Sequence, residues 1–289
     1  MLVYLNGTFL PREEAVVSVD DRGFVFGDGV YEVIRVVDGV LFTPHEHLDR
    51  MEEGLAAIGI RSTRDLARDR ILEISHRLIR ENGLHERHAT VYLQVTRGSA
   101  PRTHSFPDPP VAPSIFMSTA RFEIPTELVA KGAHAITSAD VRWSRCNLKT
   151  LNLLANVLAK QAAVEQGATE AILVRDGVIT EGASTNVFVV IDGRLRTFPV
   201  CNYILSGITR GVVLELAEEL GIPAVERPVR VEDLARAEEI FLTGTTTDVL
   251  PVVQVDDLRI GEGRPGPVAP ALGQALAERM SAAPATAGG

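Results

Sequence analysis

The most informative part of the sequence is the stretch Glu181-Gly182-Ala183-Ser184-Thr185-Asn186-Val187-Phe188, followed by Leu205-Ser206-Gly207-Ile208-Thr209-Arg210. Its first part places a glutamate before small and hydroxylic residues and then a strand, which fits a carboxylate aimed into a pocket by a tight turn. Its second part is a turn that leads into a helix, where free N–H groups and the helix dipole can bind an anion. Taken separately, the two parts are also typical of a polar loop and of a helix with ordinary hydroxyl caps.

Two other features can contribute to the same chemistry. The cluster Thr243-Gly244-Thr245-Thr246-Thr247 follows a predicted strand, and its hydroxyl groups suit a phosphate, although a polar turn is the default interpretation. The chain has only three lysines, Lys131, Lys149 and Lys160, so a reaction that requires an amine has few candidates.

Lys149 is predicted near the start of a helix over residues 148–166. A buried stripe is expected there at helical spacing, formed by Leu148, Leu151, Ala155, Leu158 and Ala162. Partial burial beside the positive end of a helix would favour the uncharged, nucleophilic form of the amine. On this pattern alone, a surface lysine on an amphipathic helix is the simpler interpretation.

Composition limits the possible classes of protein. With 289 residues and 31.3 kDa the chain can form one large domain or two modest ones. The net charge of −9 argues against nucleic-acid binding. No apolar run approaches the ~20 residues that span a membrane, and residues 1–14 do not resemble a signal peptide. The two cysteines, Cys146 and Cys201, favour a reducing cytoplasm over a disulfide framework.

Strand and helix patterns alternate in both halves of the sequence, which predicts an α/β or α+β protein of two domains. Hairpins are expected at Tyr4–Phe9 and Val30–Thr43, with helices after Pro44, over 63–81 and over 208–220. The predicted division is a domain over 1–120, a connector over 121–125, a domain over 126–280 and a flexible tail over 281–289. The proline-rich stretch 101–113 is too long for a simple turn and is expected to be functional.

Together these motifs resemble the class IV aminotransferases, which are the fold-type IV pyridoxal-phosphate enzymes. The resemblance depends on the spacing from Glu181 to Phe188, through Leu195-x-Thr197, to Leu205–Arg210. It extends to three further stretches: Arg22–Glu32, His47–Arg50 and Leu148–Asn152. It covers the chain from about residue 4 to about residue 260.

The resemblance implies a small N-terminal α/β domain, a larger C-terminal mixed β-barrel-like domain, and pyridoxal 5'-phosphate as cofactor. Lys149 would be the catalytic, Schiff-base lysine, and Glu181 would pair with the pyridine nitrogen. Arg50 would bind the phosphate together with the Ile208 and Thr209 amides and Thr245, and Leu205 would pack on the ring. Gly244 departs from the serine that is common in relatives, so one phosphate hydroxyl is missing.

Substrate choice is implied by Arg97–His104, which resembles the carboxylate-binding loop of D-amino-acid transaminases. Tyr31, Arg102 and His104 would hold the α-carboxylate, and residues two apart in an extended segment point to the same side. The implied reaction passes the amino group of a D-amino acid, of the D-alanine or D-glutamate type, to 2-oxoglutarate or pyruvate. In relatives this loop enters the neighbouring subunit's site, which implies a homodimer.

Three alternatives remain open. A branched-chain L-amino-acid aminotransferase and an aminodeoxychorismate lyase share the fold, and a non-catalytic pyridoxal-phosphate-binding protein is also compatible with it. No metal site is expected at His45, His47 and Asp49, because residues two apart on a helix diverge. Solvated or capping roles are expected for those side chains.

Overall fold

A computed structural model describes residues 1–282, which divide into two compact units. Unit 1 contains Met1–Glu123 and Leu148–Asn152, and unit 2 contains Ile124–Asn147 and Leu153–Ala282. The first boundary lies inside the stretch predicted as a connector. Residues 148–152 group with unit 1, although the predicted division counted them with the second domain. Most of the predicted tail, 283–289, lies outside the described residues.

Unit 1 is built on a six-stranded antiparallel sheet with the strand order β2-β1-β6-β5-β3-β4. Its elements are β1 (Leu2–Leu5), β2 (Thr8–Pro11), α1 (Arg22–Phe26), β3 (Gly29–Val37), β4 (Val40–Leu41), α2 (Pro44–Ala57), α3 (Arg68–Glu81), β5 (Ala89–Thr96) and β6 (Ser114–Arg121). Short 3-10 turns occupy Arg12–Glu14 and Arg64–Leu66.

The local sequence explains these elements. Asn6 and Gly7 adopt positive φ angles of 47° and 92°, as a two-residue hairpin turn between β1 and β2 requires. Pro44 opens α2 at its first turn. The buried residues of α2 and α3 recur three or four positions apart and pack with the sheet in one core: Leu48, Met51, Leu55, Ile71, Ile74 and Leu78. Both predicted hairpins and the helix after Pro44 are confirmed, and most of the helix predicted over 63–81 forms α3.

Unit 2 contains a ten-stranded mixed sheet that curls into a half-barrel. Its path is β12-β11-β10-β14-β15-β7-β8-β9-β13, with β16 paired to β15. The elements are α4 (Thr126–Lys131), β7 (Ala133–Ala139), α5 (Leu154–Glu165), β8 (Glu170–Arg175), β9 (Val178–Gly182), β10 (Asn186–Ile191), β11 (Arg194–Thr197), α6 (Ile208–Glu219), β12 (Ala224–Glu226), β13 (Val229–Arg230), β14 (Glu239–Gly244), β15 (Asp248–Val255), β16 (Leu258–Arg259) and α7 (Val268–Ser281), with a 3-10 turn at Val231–Arg236.

The helix predicted over 148–166 is wrong in its first turns, because α5 begins only at Leu154. Thr150 forms a bridge with Val30, so this segment pairs with β3 instead of forming helical turns. The predicted buried stripe is also wrong. Ala159 and Ala163 are the buried residues of α5, whereas Leu158 is 61% exposed.

The two sheets with their helices confirm the predicted mixed α/β class. Within residues 1–282, every helix is too short or too polar to cross a membrane.

Candidate active site

Lys149 lies in an extended segment of unit 1 beside β3. The amide of Tyr31 donates to the Lys149 carbonyl at 3.0 Å, and the amide of Leu151 donates to the Gly29 carbonyl at 3.1 Å. The Lys149 Nζ atom is 4.3 Å from the centroid of the Tyr31 ring, a distance at which an ammonium group and an aromatic ring attract each other. Strand pairing, rather than a helix start, therefore places these two predicted site residues side by side.

Glu32 follows Tyr31 on β3 and is fully buried. Arg50 donates to it through Nε at 2.8 Å and through Nη2 at 2.7 Å. The Nδ1 atom of His47 lies 2.7 Å from the same carboxylate. Burial acts to raise the pKa of Glu32, but the charge and hydrogen bonds of Arg50, together with His47, outweigh it and lower the pKa to about 2. The ionised Glu32 carboxylate thus fixes the guanidinium of Arg50, the predicted phosphate ligand, through two hydrogen bonds.

His47 does not have the solvated or capping role predicted for it. The side chain is buried on the inner face of α2, where it contacts Glu32. Burial lowers the pKa of His47, and the charges of Arg50 and Lys149 act in the same direction, against the effect of Glu32. The prediction was wrong because helical position alone cannot reveal a buried partner on a neighbouring strand.

Arg102 and His104 lie on the exposed loop that follows β5. Both side chains contact the ring of Phe26: the Arg102 guanidinium is 5.2 Å from the ring centroid, and the His104 and Phe26 centroids are 5.6 Å apart. Among the described residues, no hydrogen bond, ion pair or ring contact joins either side chain to Tyr31. The three residues predicted to hold the carboxylate therefore do not meet through such contacts within one chain.

Glu181 is buried near the end of β9 in unit 2. Its carboxylate accepts hydrogen bonds from the Asn186 side chain at 3.0 Å, from the Leu205 amide at 3.1 Å, and from Arg142. Burial raises the pKa of Glu181 to about 7, although Arg142 and the Leu205 amide act to lower it. A carboxylate that titrates near neutral pH can share a proton with a bound basic group.

Arg142 divides its donors between two carboxylates. It donates to Asp140 through Nε and Nη2, both at 2.9 Å, and to Glu181 through Nη1. Asp140 is fully buried and also accepts from the Thr180 hydroxyl at 3.0 Å, and Arg175 lies 3.2 Å from it. The negative charge of Asp140 is a further cause of the raised pKa of Glu181.

The start of α6 adjoins Glu181 through Asn186. A Cβ atom at Gly207 would lie 2.0 Å from the Asn186 Oδ1 atom, so this position accepts only glycine while Asn186 bonds to Glu181 and to the Leu205 carbonyl. Within the described part of the chain, no side chain caps α6. The amides of its first turn, including those of Ile208 and Thr209, therefore form a site suited to an anion.

Thr245 lies in the turn between β14 and β15, at the same edge of the sheet. Asn186 at the start of β10 pairs in register with Thr243 at the end of β14. A Cβ atom at Gly244 would lie 3.7 Å from the Ser184 carbonyl, so the turn after β14 is a neighbour of the turn between β9 and β10. Unit 2 thus brings Glu181, Leu205, the first turn of α6 and the Thr245 turn together.

Sequence reasoning missed the partners that hold these residues in place, namely Glu32, Arg142 and Asp140. A signal existed for Glu32, because a charged residue inside the apolar run Val30–Val37 requires a buried partner. No signal existed for the pairing of Arg142 with Glu181. The two residues lie 39 positions apart and meet only through the fold.

Comparison with known proteins identifies the family. The family model described as Amino-transferase class IV matches residues 29–255. This chain belongs to the class IV aminotransferases. The resemblance read from the sequence is confirmed, and with it the prediction of an enzyme that transfers amino groups.

Relatives of this class IV aminotransferase include D-alanine aminotransferases. One from Staphylococcus epidermidis is 44% identical over 272 residues, which are 94% of this chain and 95% of the relative. Another, from Bacillus licheniformis, is 44% identical over 273 residues, or 93% of each chain. Among solved structures, the branched-chain amino acid aminotransferase of Escherichia coli superimposes with a TM-score of 0.89 at 29% identity, covering 96% of this chain and 93% of that one.

The cofactor of this class IV aminotransferase is pyridoxal 5'-phosphate, as predicted. Another branched-chain amino acid aminotransferase, solved with pyridoxamine 5'-phosphate, superimposes with a TM-score of 0.85 at 30% identity, covering 96% of this chain and 93% of that one. The residues of this chain fit the group. Of the residues predicted to bind it, Lys149 has an amine, Glu181 has a carboxylate with a raised pKa, and the first turn of α6 has amides suited to an anion.

Proposed function

We propose that this class IV aminotransferase transfers the amino group of D-amino acids, of the D-alanine or D-glutamate type, to 2-oxoglutarate or pyruvate. The observation that carries the proposal is the similarity to D-alanine aminotransferases, which are 41–44% identical over 92–94% of the chain. The pair Arg102 and His104, side by side on Phe26, supports it, because a guanidinium and an imidazole can bind one carboxylate.

The proposed residue roles are those that the family resemblance implies. Bound pyridoxal phosphate supplies an aldehyde that bonds to amines and a ring that accepts electrons from the substrate Cα. Lys149 would hold the cofactor through its Nζ atom, and the same atom, when free, would take the proton from the substrate Cα. Glu181 would hold a proton on the pyridine nitrogen. Leu205 would pack on the ring.

The amides of Ile208 and Thr209 and the hydroxyl of Thr245 would donate to the phosphate. Arg50 keeps the role of phosphate ligand that the family resemblance implies. Glu32 fixes the plane of the Arg50 guanidinium through two hydrogen bonds, which suits a group that must present a fixed fork to an anion. Amides and arginine compensate for the hydroxyl that Gly244 lacks.

The substrate carboxylate is bound by Tyr31 together with Arg102 and His104. Since no hydrogen bond, ion pair or ring contact joins Tyr31 to the other two among the described residues, we propose that they come from two subunits of a homodimer. The exposed apolar side chains of α5, Leu154, Val157 and Leu158, are suited to an interface. Sedimentation should give twice the 31.3 kDa mass of the chain. The cytoplasmic location stays a prediction.

Stereospecific assays test this function. D-alanine and L-leucine, each with 2-oxoglutarate, should give pyruvate rapidly and 4-methyl-2-oxopentanoate slowly or not at all. A preference for L-leucine would favour the alternative of a branched-chain aminotransferase, which the similarity to the Escherichia coli structure supports.

Covalent trapping tests the proposed catalytic residue. Borohydride treatment followed by peptide mass spectrometry should find the cofactor on Lys149. Trapping on Lys131 or Lys160, the two other lysines of the chain, would contradict the assignment.

A further inference from the structure

The tip of the loop after β5 is exposed, but the base of the loop is anchored by buried charges. Arg22 and Arg97 are 4% and 7% exposed. Both donate to Asp28: Arg22 through Nε at 2.9 Å, and Arg97 through Nε at 2.7 Å and Nη2 at 2.9 Å. One carboxylate therefore ties the start of α1 to the residue at which the loop leaves β5.

Arg22 also reaches the tip of the loop. Its Nη1 atom donates to the Thr103 carbonyl at 2.7 Å and to the Ser105 carbonyl at 3.3 Å. Thr103 lies between Arg102 and His104, so this hydrogen bond fixes the main chain from which both side chains project. A bond from a buried charged donor is among the stronger hydrogen bonds in proteins.

Phe26, the last residue of α1, supplies the second contact. Its ring is approached by the guanidinium of Arg102 at 5.2 Å, by the ring of His104 at 5.6 Å and by the guanidinium of Arg22 at 4.8 Å. Guanidinium groups over an aromatic face are attracted to it. One short helix thus holds both the main chain and the side chains of the Arg102–His104 segment.

We propose that Arg22 and Phe26 are positioning residues that fix Arg102 and His104 in the orientation in which they bind the substrate carboxylate. This inference rests on the proposed function. Fixing long side chains before the ligand arrives removes an entropic cost from binding, so the anchor contributes to substrate affinity without touching the substrate. The anchor lies within unit 1 and shares no residue with the groups proposed to hold the cofactor, so cofactor affinity does not depend on it.

The Arg22→Met variant tests the inference in the holoenzyme. Asp28 keeps its two hydrogen bonds from Arg97, so its charge stays paired and the variant folds. The KM for D-alanine and the competitive inhibition constant of propanoate, a carboxylate without an amine, should each rise about tenfold, with kcat and the cofactor dissociation constant nearly unchanged. Phe26→Leu, which retains the bond to Thr103, should raise both constants by about threefold.

Arg77→Met is the matched control, because Arg77 also lies over a phenylalanine of unit 1, with its guanidinium 3.8 Å from the centroid of the Phe9 ring. It should leave the KM and the inhibition constant unchanged. Normal values for Arg22→Met and Phe26→Leu would overturn the inference, as would an equal rise in Arg77→Met.

A double-mutant cycle separates positioning from general damage. When Arg102 and His104 are both replaced by alanine, adding Arg22→Met should change the propanoate constant by less than about twofold, because the side chains that it positions are gone. If Arg22→Met raised the propanoate constant by the same factor with and without Arg102 and His104, the inference would be overturned. If the Arg102→Ala/His104→Ala variant itself binds D-alanine and propanoate normally, the proposed carboxylate site fails. If Arg22→Met has a normal KM and propanoate constant while Arg102→Ala/His104→Ala is impaired in both, only the positioning role is overturned and the carboxylate site stands.

Discussion

Glu32 in unit 1 and Glu181 in unit 2 are both buried, and each accepts a hydrogen bond from an arginine. Their acidities nevertheless differ widely. Burial acts to raise both pKa values, but Arg50 and His47 bring that of Glu32 down to about 2, whereas that of Glu181 rises to about 7. The two carboxylates differ in their partners rather than in their burial.

The difference lies in the partners that surround each carboxylate. Arg50 directs two of its nitrogens to Glu32. Arg142 directs two nitrogens to Asp140 and one to Glu181, so much of its charge is already balanced. A fully paired carboxylate stays ionised and fixes its neighbours, whereas a partly paired one can exchange a proton. The molecule thus uses the same residue type for structure in unit 1 and for proposed chemistry in unit 2.

The largest expected effect comes from Glu181→Gln. An amide cannot supply the negative charge that keeps a ring nitrogen protonated, so kcat for D-alanine should fall by about 10³-fold. Cofactor content, measured by absorbance, should be retained, because the amides of α6 and Arg50 are unchanged. Glu239→Gln is the matched control, since Glu239 is buried in unit 2 and caps α7. Equal values of kcat in the two variants would contradict the proposed role of Glu181.

Glu32→Gln should act on stability more than on proton transfer. Removal of this carboxylate breaks a buried ion pair with Arg50 and the contact with His47, which should lower the free energy of unfolding by about 3–5 kcal/mol. Chemical denaturation at neutral pH measures the loss. Glu52→Gln on the same helix as Arg50 is the control, because its carboxylate is exposed and its loss should matter far less. If Glu32→Gln were as stable as Glu52→Gln, the structural role assigned to Glu32 would be wrong.

Sequence reasoning identified Lys149, Glu181 and Arg50 as candidates through motif spacing. It could not identify the buried partners that set the pKa of Glu181 and the orientation of Arg50. The fold class and most elements followed from local patterns such as Asn6-Gly7 and Thr43-Pro44. The segment before α5 was mispredicted because its hydrogen bonds go to β3, and strand pairing over more than a hundred positions leaves no periodicity to read. The pairs Glu32–Arg50 and Arg142–Glu181 are tertiary contacts of the same kind.

Changes at Arg142 and Asp140 should move the acidity of Glu181 in opposite directions. Arg142→Met removes the positive charge that opposes burial, so the pKa of Glu181 should rise and the acidic limb of the kcat–pH profile should move to higher pH. Asp140→Asn removes a negative charge, so the limb should move to lower pH. At neutral pH the Arg142→Met variant should lose about tenfold in kcat for each pH unit by which the limb moves. Profiles that move in the same direction in both variants would contradict this account.

The smallest expected effect is on the pH dependence of stability, measured by denaturation of the cofactor-free protein between about pH 5 and about pH 8. The pKa of Glu181 lies above the ordinary value of 4.5, so the folded state holds the proton more tightly than the unfolded state does. Its contribution to stability is therefore complete at acidic pH and is lost as pH rises toward about 7, by at most about 1.4 kcal/mol per pH unit.

For Glu32 the sign is reversed, because its pKa is lowered and its contribution is lost only as pH falls from 4.5 toward about 2. The stability difference between Glu181→Gln and the natural protein should therefore grow as pH rises to about 7 and then level off, since glutamine never ionises. The difference for Glu32→Gln should stay constant between about pH 7 and about pH 8, because Glu32 is ionised there and the lowered pKa of His47 leaves its ring uncharged. A flat difference for Glu181→Gln would mean that Arg142 neutralises Glu181 as completely as Arg50 neutralises Glu32, and the contrast between the two carboxylates would fail.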